Sequence, residues 1–398
     1  MSRVVVKFGG ATLANGARVK KAAQLVAEAP YEQKVVVVSA PGRTTDQLLN
    51  LVSAFEESIE EKAYAEILSM GERTSTKVFT SALRAMGIKA VEFDPSQEGF
   101  PVVTNGNFLN ATVDLKATRA ACRKSVLPLL GEWVIVVPGF LGRCEGRTTV
   151  LGRGGSDVTA TVLGNCLEAD DVILVKDTSG IMSADPEVVP DAKPVSTITI
   201  DEMYALAHGG AKVVRPEALY YKADSQRLRV VPFGKPLSDD GTEITGSIDP
   251  ADPYFAKGSG LDEVTVVADT GVAVLGNVLQ RIGAKVKGVG TGRTTITFFL
   301  DGDGWQEVCK RVHGVSGVKA VSGRTGIGYI EVIHPHLVDQ PGVVAKAATI
   351  LSLHGINIVE VTSSKGALTF FLDEKSLDEA YGLLEENLIV GQLDSDKA

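Results

Sequence analysis

Residues 4–10, VVVKFGG, decide how the chain is read. Three successive valines leave no polar face, so Val4–Val6 reads as a strand buried on both sides, as in parallel sheets. The strand runs into Lys7 and Phe8, and Gly9 and Gly10 follow at once. A glycine turn between strand and helix lets backbone N–H groups approach an anion, and the helix start adds partial positive charge. A lysine at the strand end adds a full charge. A tight turn with a solvated lysine would use the same residues, so KFGG alone leaves both readings open.

Working outward, Val19, Ala22, Ala23 and Val26 form the i, i+3, i+4, i+7 stripe of a helix that Pro30 ends. VVVVS (35–39), KAVEF (89–93), WVIVVP (133–138), DVILVK (171–176) and LRVVPF (228–233) repeat the apolar strand pattern. Helices fit at 45–86, with Gly71 as the candidate break, and at 113–130, 157–168, 201–208 and 215–224. Apolar strands alternating with helices predict an α/β fold, an αβα sandwich around a mostly parallel sheet.

Residues 234–262 are rich in Gly, Pro, Ser and Asp and read as a domain end and linker. A duplication follows. Thr297-Phe298-Phe299-Leu300-Asp301 recurs as Thr369-Phe370-Phe371-Leu372-Asp373, and the same offset of 72 carries Gly283 onto Gly355. Each copy reads as a βαββαβ, ferredoxin-like unit with a closing strand of its own. The expected domains are 1–248, a linker at 249–262, and small domains at 263–327 and 328–398.

The chain has 398 residues, 44% hydrophobic and 22% charged, with net charge −9. That balance suits a soluble protein of several domains and argues against nucleic acid or an anionic membrane as partner. An anionic ligand must be gathered by a local cluster of cations. Cys122, Cys144, Cys166 and Cys309 form no CxxC pair, and the five histidines show no HExxH spacing. No protein-ligated metal is expected, and a reducing, cytoplasmic location is. No apolar run reaches the length of a signal peptide or membrane span.

A second glycine loop, LGRGGSDVTATVLGN (151–165), opens an apolar helix. Ser156 suits its N-cap and Asp157 its first turn. Capping does not explain Arg153 among glycines, where a planar five-donor fork sits beside free N–H groups and suits a carboxylate or phosphate. VKDTSGIMSADPEVVPDAKP (175–194) leaves a strand for a long loop, a common place for ligand contacts. HGGAKVVRP (208–216) adds Lys212 after a glycine pair.

Together these stretches resemble aspartokinases of the amino-acid kinase superfamily. KFGG (7–10), VVVVSAPGRTTDQLL (35–49), SMGERTS (69–75), GRGGSD (152–157), KDTSGIMSADPEVVPDA (176–192) and GGAKVVRPEAL (209–219) carry the likeness. The repeat, with TILSLHGINIVEVTSS (349–364), resembles a pair of ACT domains, the family's amino-acid sensors. There are departures. Ala11-Thr12 stands where the family has Thr-Ser, Asp177-Thr178-Ser179-Gly180 where it has DVDG, and Arg215-Pro216 where it often has His-Pro.

The resemblance implies ATP and Mg²⁺ as cofactors, and transfer of the γ-phosphoryl group to the side chain of L-aspartate, giving 4-phospho-L-aspartate for lysine, threonine and methionine biosynthesis. It implies Lys7, Asp157 and Lys212 as catalytic residues. Lys7, Phe8, Gly9, Gly10, Lys176, Asp177, Ile181, Met182, Ser183, Ala184, Asp185, Pro186 and Lys212 would hold the nucleotide. Ser39, Thr45, Glu72, Arg153, Gly154, Gly155 and Ser156 would form the substrate pocket, with Arg153 on the α-carboxylate and Glu72 on the α-ammonium. Feedback by lysine or threonine would act near Asp269–Val272, or near Asp339–Val343 with Asn357 and Ile358, and the ACT-like units would support a homo-oligomer. Two other readings remain: an amino-acid kinase for another carboxylate, and a catalytically weak amino-acid sensor.

Overall fold

Val4, Val5 and Val6 are at most 1% exposed in the computed structural model, as a central strand demands. The structure describes residues 2–388 except 56–57, 153, 179, 209–210, 212, 248–253, 270, 302–303, 334–336, 338–340 and 365. The chain divides into two units, Met1–Ile248 and Asp249–Ala398.

The first unit runs β1 (Arg3–Phe8), α1 (Gly16–Glu28), β2 (Gln33–Val38), α2 (Thr44–Val52), α3 (Glu61–Ala85), β3 (Ala90–Glu92), α4 (Leu115–Ala121), β4 (Val134–Pro138), β5 (Leu141–Cys144), β6 (Arg147–Val150), α5 (Gly155–Cys166), β7 (Asp171–Lys176), β8 (Thr197–Thr199), α6 (Ile200–His208), α7 (Pro216–Leu219), β9 (Arg227–Pro232) and β10 (Thr242–Thr245). Its main sheet has the order β3-β4-β2-β1-β7-β9-β10-β8. β1 is parallel to both β2 and β7, and among the described strand pairs of this sheet only β9–β10 is antiparallel. The chain lays β2 and β4 on one side of β1, then returns to lay β7 on the other. The crevice beyond the C-terminal ends of β1 and β7 is therefore the switch point at which such sheets bind ligands.

Alternation along the strands sorts the two core layers. Val4, Val6 and Phe8 pack with Val19, Ala22, Ala23 and Val26 of α1. Val5, Val37, Val172 and Leu174 pack on the opposite face with Val158, Ala160, Val162 and Leu163 of α5. Each valine, leucine or phenylalanine among them contributes roughly 1.5–3 kcal/mol when buried. By the same period, Lys7 and Lys176 project toward α5.

Several expectations change. The helical region at 45–86 breaks between α2 and α3, at 53–60, while Gly71 lies inside α3. Gly71 is a contact requirement: a Cβ there would come within 2.6 Å of the Ala40 Cβ. The helix expected at 113–130 is α-helical only through α4, then widens over Cys122–Val126 and tightens over Leu127–Leu129, and the one expected at 215–224 shortens to α7. The β5–β6 hairpin, β8 and β10 had no apolar signature to announce them.

The second unit comprises β11 (Tyr254–Ala268), α8 (Gly271–Ile282), β12 (Lys285–Thr291), β13 (Thr295–Asp301), α9 (Trp305–Val312), β14 (Val318–Ile333), α10 (Val343–Leu353), β15 (Ile358–Ser363), β16 (Ala367–Asp373) and α11 (Leu377–Asn387), with sheet order β12-β13-β11-β14-β16-β15. The repeat is visible in space. Gly283 and Gly355 follow α8 and α10 with φ of +62° and +73°, a conformation glycine adopts without strain. Phe299 and Phe371, equivalent under the offset of 72, stack face to face with centroids 3.8 Å apart.

Two long strands serve both copies. Asp262–Val267 of β11 pairs with β13, whereas Tyr254–Gly258 pairs with Ile333–Tyr329 of β14 beside the second copy. The second copy thus borrows an edge strand that precedes the first, and the stretch 249–262 expected as a linker is strand from Tyr254 onward. Gly258-Ser259-Gly260, in the stretch expected as a linker, forms a bulge at which β11 passes from one copy to the other, with Gly260 at φ +76°.

Candidate active site

Lys7 is the last residue but one of β1 and Lys176 ends β7, and both meet Asp157 in the first turn of α5. Lys7 Nζ lies 2.6 Å from Asp157 Oδ1 and Lys176 Nζ 2.9 Å from Oδ2. The carboxylate is 3% exposed. Burial alone would raise its pKa, but Lys176 and Lys7 hold it well below the usual carboxylate range. Burial, with Lys7 and Arg215 nearby, lowers the pKa of Lys176 against the pull of Asp157.

The turn before α5 explains its glycines. The N-cap is Gly154 with φ +78°, so Ser156, expected as the cap, lies inside the first turn. A Cβ on Gly154 would overlap the Cγ of Arg215. Gly10 is equally constrained, since a Cβ there would stand 2.7 Å from the Ala40 carbonyl oxygen. That approach draws the loop after β1 onto the loop after β2, where Gly42 N–H donates to the Gly10 carbonyl at 2.9 Å.

Glu72 reaches the same place from α3. It is 4% exposed, its Oε1 accepts the Ala40 N–H at 3.0 Å, and its Oε2 is buried with no hydrogen-bond partner. Burial pushes its pKa up to about 7, against the lowering effects of the Ala40 N–H and Lys7.

These groups share one cavity of about 650 Å³, lined by Lys7, Gly10, Ser39, Thr45, Glu72, Gly154, Gly155, Ser156, Asp157, Lys176 and Arg215. Leu49, Leu68, Leu109, Phe140 and Val150 make its apolar wall. Other expected residues stand elsewhere. Phe8 buries its ring against Phe79, centroids 5.6 Å apart, so it can offer a ligand only its backbone. Gly9 does not line the cavity, although Lys7 Nζ passes 3.5 Å from where its Cβ would be. Asp177, Ile181, Met182, Ser183, Ala184, Asp185 and Pro186 are also absent from the lining. Their loop closes on itself: Ser183 N–H donates to Lys193 at 2.8 Å, Val195 N–H to Ile181 at 2.9 Å, and Ile181 is core. Arg153 and Lys212 lie outside the described residues.

Arg215 and Phe140 are among the lining residues that had no assigned role. Arg215 was legible only as a departure before Pro216. Phe140 carries φ +67°, an uncommon conformation for an aromatic residue, and its N–H donates to Thr159 Oγ1 at 3.1 Å. Nothing in Gly139-Phe140 signals this.

In the second unit a cavity of about 580 Å³ is lined by Leu337, Gly342, Val343, Val344, Ala345, Ala348, Ser363, Ser364 and Leu368. Of the effector candidates, Gly342 and Val343 line it; Asp269, Val272, Pro341, Asn357 and Ile358 do not, and Thr270, Asp339 and Gln340 lie outside the described residues. Among the described residues no group of three or more His, Cys, Asp or Glu could hold a metal, and no helix is long and apolar enough to cross a membrane.

The model of the Amino acid kinase family matches residues 2–232. The aspartokinase of Mycolicibacterium smegmatis is 30% identical, covering 98% of this chain and 97% of that one. Aspartokinase 1 of Bacillus subtilis (strain 168) is 31% identical, covering 97% and 98%. Among solved structures, aspartate kinase from Synechocystis matches with a TM-score of 0.74 at 22% identity, covering 99% of this chain and 71% of that one. E. coli aspartokinase III in complex with aspartate and ADP matches at 0.56 and 24%, covering 97% and 100%. These two structural likenesses speak to fold. The family match over more than half the chain, and the identity along nearly all of it, place the chain in the amino acid kinase family, among its aspartokinases.

Proposed function

We propose that this chain transfers the γ-phosphoryl group of ATP to the side-chain carboxylate of L-aspartate, giving 4-phospho-L-aspartate and ADP. The observation that carries the reading is that the Lys7–Asp157 pair and Glu72 line one cavity at the strand ends. A carboxylate oxygen attacks the γ-phosphorus, the bond to the β,γ-bridging oxygen breaks, and its electron pair leaves on ADP. The nucleophile, with an ordinary pKa of about 3.9, is ionised at pH 7 and needs no general base. The obstacle is repulsion between two anions, which fixed cations relieve.

Lys7 neutralises charge on the phosphates, Asp157 holds its ammonium in place, and the N–H groups of Gly9 and Gly10 donate to phosphate oxygens. Lys212 adds a further cation. Asp177 and the 181–186 loop belong to the nucleoside side. The unpaired Oε2 of Glu72 receives the α-ammonium of aspartate and Arg153 grips its α-carboxylate. Ser39, Thr45 and the turn from Gly154 to Ser156 close the pocket. Among the described residues no acidic cluster forms a metal cage, and Asp157 is committed to two ammonium groups, so in this reading Mg²⁺ arrives with the nucleotide.

The second unit, a homo-oligomeric surface in this reading, senses lysine or threonine. Support comes from its ferredoxin-like repeats and from the E. coli aspartokinase III structure in complex with lysine and aspartate, matched at a TM-score of 0.55. Calorimetry with each amino acid tests this; no heat from either refutes it. For the reaction, a panel of carboxylates in a coupled ADP-release assay should select L-aspartate. Selection of glutamate, or nucleotide binding without turnover, would refute the assignment.

A further inference from the structure

We propose that Lys176 is a second catalytic cation, its ammonium group set on the transferring phosphoryl group rather than on the nucleoside. The inference rests on the phosphotransfer reading and deepens it. Asp157 divides its two oxygens between Lys7 and Lys176, so both ammonium groups are held within 3 Å of one carboxylate. An ammonium has three N–H donors. Lys176 gives one to Asp157 Oδ2, Lys7 is ion-paired with Oδ1, and among the described residues neither ammonium has an acceptor beyond Asp157. At least two donors on each remain for a ligand.

The charge balance points the same way. Lys7, Lys176 and Arg215 line this end of the cavity around Asp157, which lies 3% exposed between its two lysines. Buried cations without counter-charge are costly, and a ligand carrying several negative charges removes that cost. The terminal phosphoryl of a nucleoside triphosphate is such a group.

Register decides between phosphoryl and nucleoside. Leu174 pairs with Lys7 across β7 and β1, and Lys176 follows two residues on, so it projects from the same face of the sheet as Lys7. It opens into the cavity that also holds Glu72, Ser39 and Thr45, where the acceptor sits, while the 181–186 loop beyond it lines no part of that cavity. Lys176 therefore stands where the two substrates meet.

The test uses Lys176→Met and Lys176→Arg in the full chain. Three quantities are read: kcat for aspartate-dependent ADP release, and the affinities for Mg·ADP and for Mg·β,γ-imido-ATP by calorimetry. Lys176→Met should lower kcat by about 10²–10³-fold, as loss of one group stabilising transition-state charge does, while ADP affinity stays within about threefold. The preference for the imido analogue over ADP should fall by about tenfold or more, as one lost charge contact of about 1.4 kcal/mol would give. Lys176→Arg keeps the ion pair to Asp157 and should show the same split, more weakly, even if the Met variant fails to fold. Equal losses for ADP and the analogue with kcat unchanged would return Lys176 to the nucleoside and overturn the proposal, as would no change in any of the three. If the wild-type chain shows no aspartate turnover, the acceptor assignment fails, and the analogue-to-ADP ratio still decides the role of Lys176.

Discussion

Replacing Glu72 by Gln should strengthen the fold while weakening substrate recognition. Burial moves the Glu72 pKa from an ordinary 4.5 to about 7. At about 1.36 kcal/mol for each tenfold change in proton affinity, the buried charge costs the native state on the order of 3 kcal/mol above pH 7. Between 4.5 and 7 the folded form keeps a proton that the unfolded form has released. Wild-type stability therefore falls as pH rises through that window and levels off above it. Glutamine has no charge to bury, and its Oε1 can still accept the Ala40 N–H. In urea unfolding the variant should match the wild type near pH 5 and exceed it by up to about 3 kcal/mol at pH 8. Aspartate recognition should move the other way. KM should rise by about 30-fold, the low end of the ~2–5 kcal/mol lost when a buried charge pair loses one partner. For the wild type, KM for aspartate should climb as pH drops below 7, because the carboxylate form is the one that binds an ammonium. A stability difference equal at pH 5 and pH 8 would refute the buried-charge argument, and an unchanged KM would remove Glu72 from the substrate pocket.

Lys7→Ala should lower kcat by about 10²–10³-fold with little change in aspartate KM, since its charge acts mainly in the transition state; steady-state kinetics with an unchanged kcat would contradict this. Gly154→Ala should lose about 1–3 kcal/mol from the positive φ alone, and more from displacement of Arg215, read as a lower midpoint in thermal unfolding. Phe371→Ala removes a fully buried ring stacked on Phe299 and should cost about 3–5 kcal/mol in denaturant unfolding; a loss under 1 kcal/mol would mean that the two repeats are not held together through this pair.

The strands were legible because burial on both faces writes itself as continuous apolar runs, as in Val4–Val6 and Val35–Val38. The repeat was legible because five identical residues recur in register. What escaped is set by tertiary contact. Gly71 looked like a helix breaker, yet it serves a close approach to Ala40 within α3. The glycines near 258–260 looked like a linker, yet they bend a strand shared by both copies. Lys7, Asp157 and Lys176 were each singled out, but their junction on one carboxylate follows from the neighbouring positions of β1 and β7 and from strand alternation, which no local pattern records. Arg215 became meaningful only beside Gly154.

The acceptor itself is tested most directly by incubating the full chain with ATP, Mg²⁺, L-aspartate and hydroxylamine and measuring aspartyl hydroxamate against ADP. Hydroxamate formed in step with ADP, dependent on aspartate and slowed about 10²–10³-fold in Lys7→Ala, is the predicted result. ADP released without hydroxamate, or hydroxamate formed equally well by Lys7→Ala, would contradict the account.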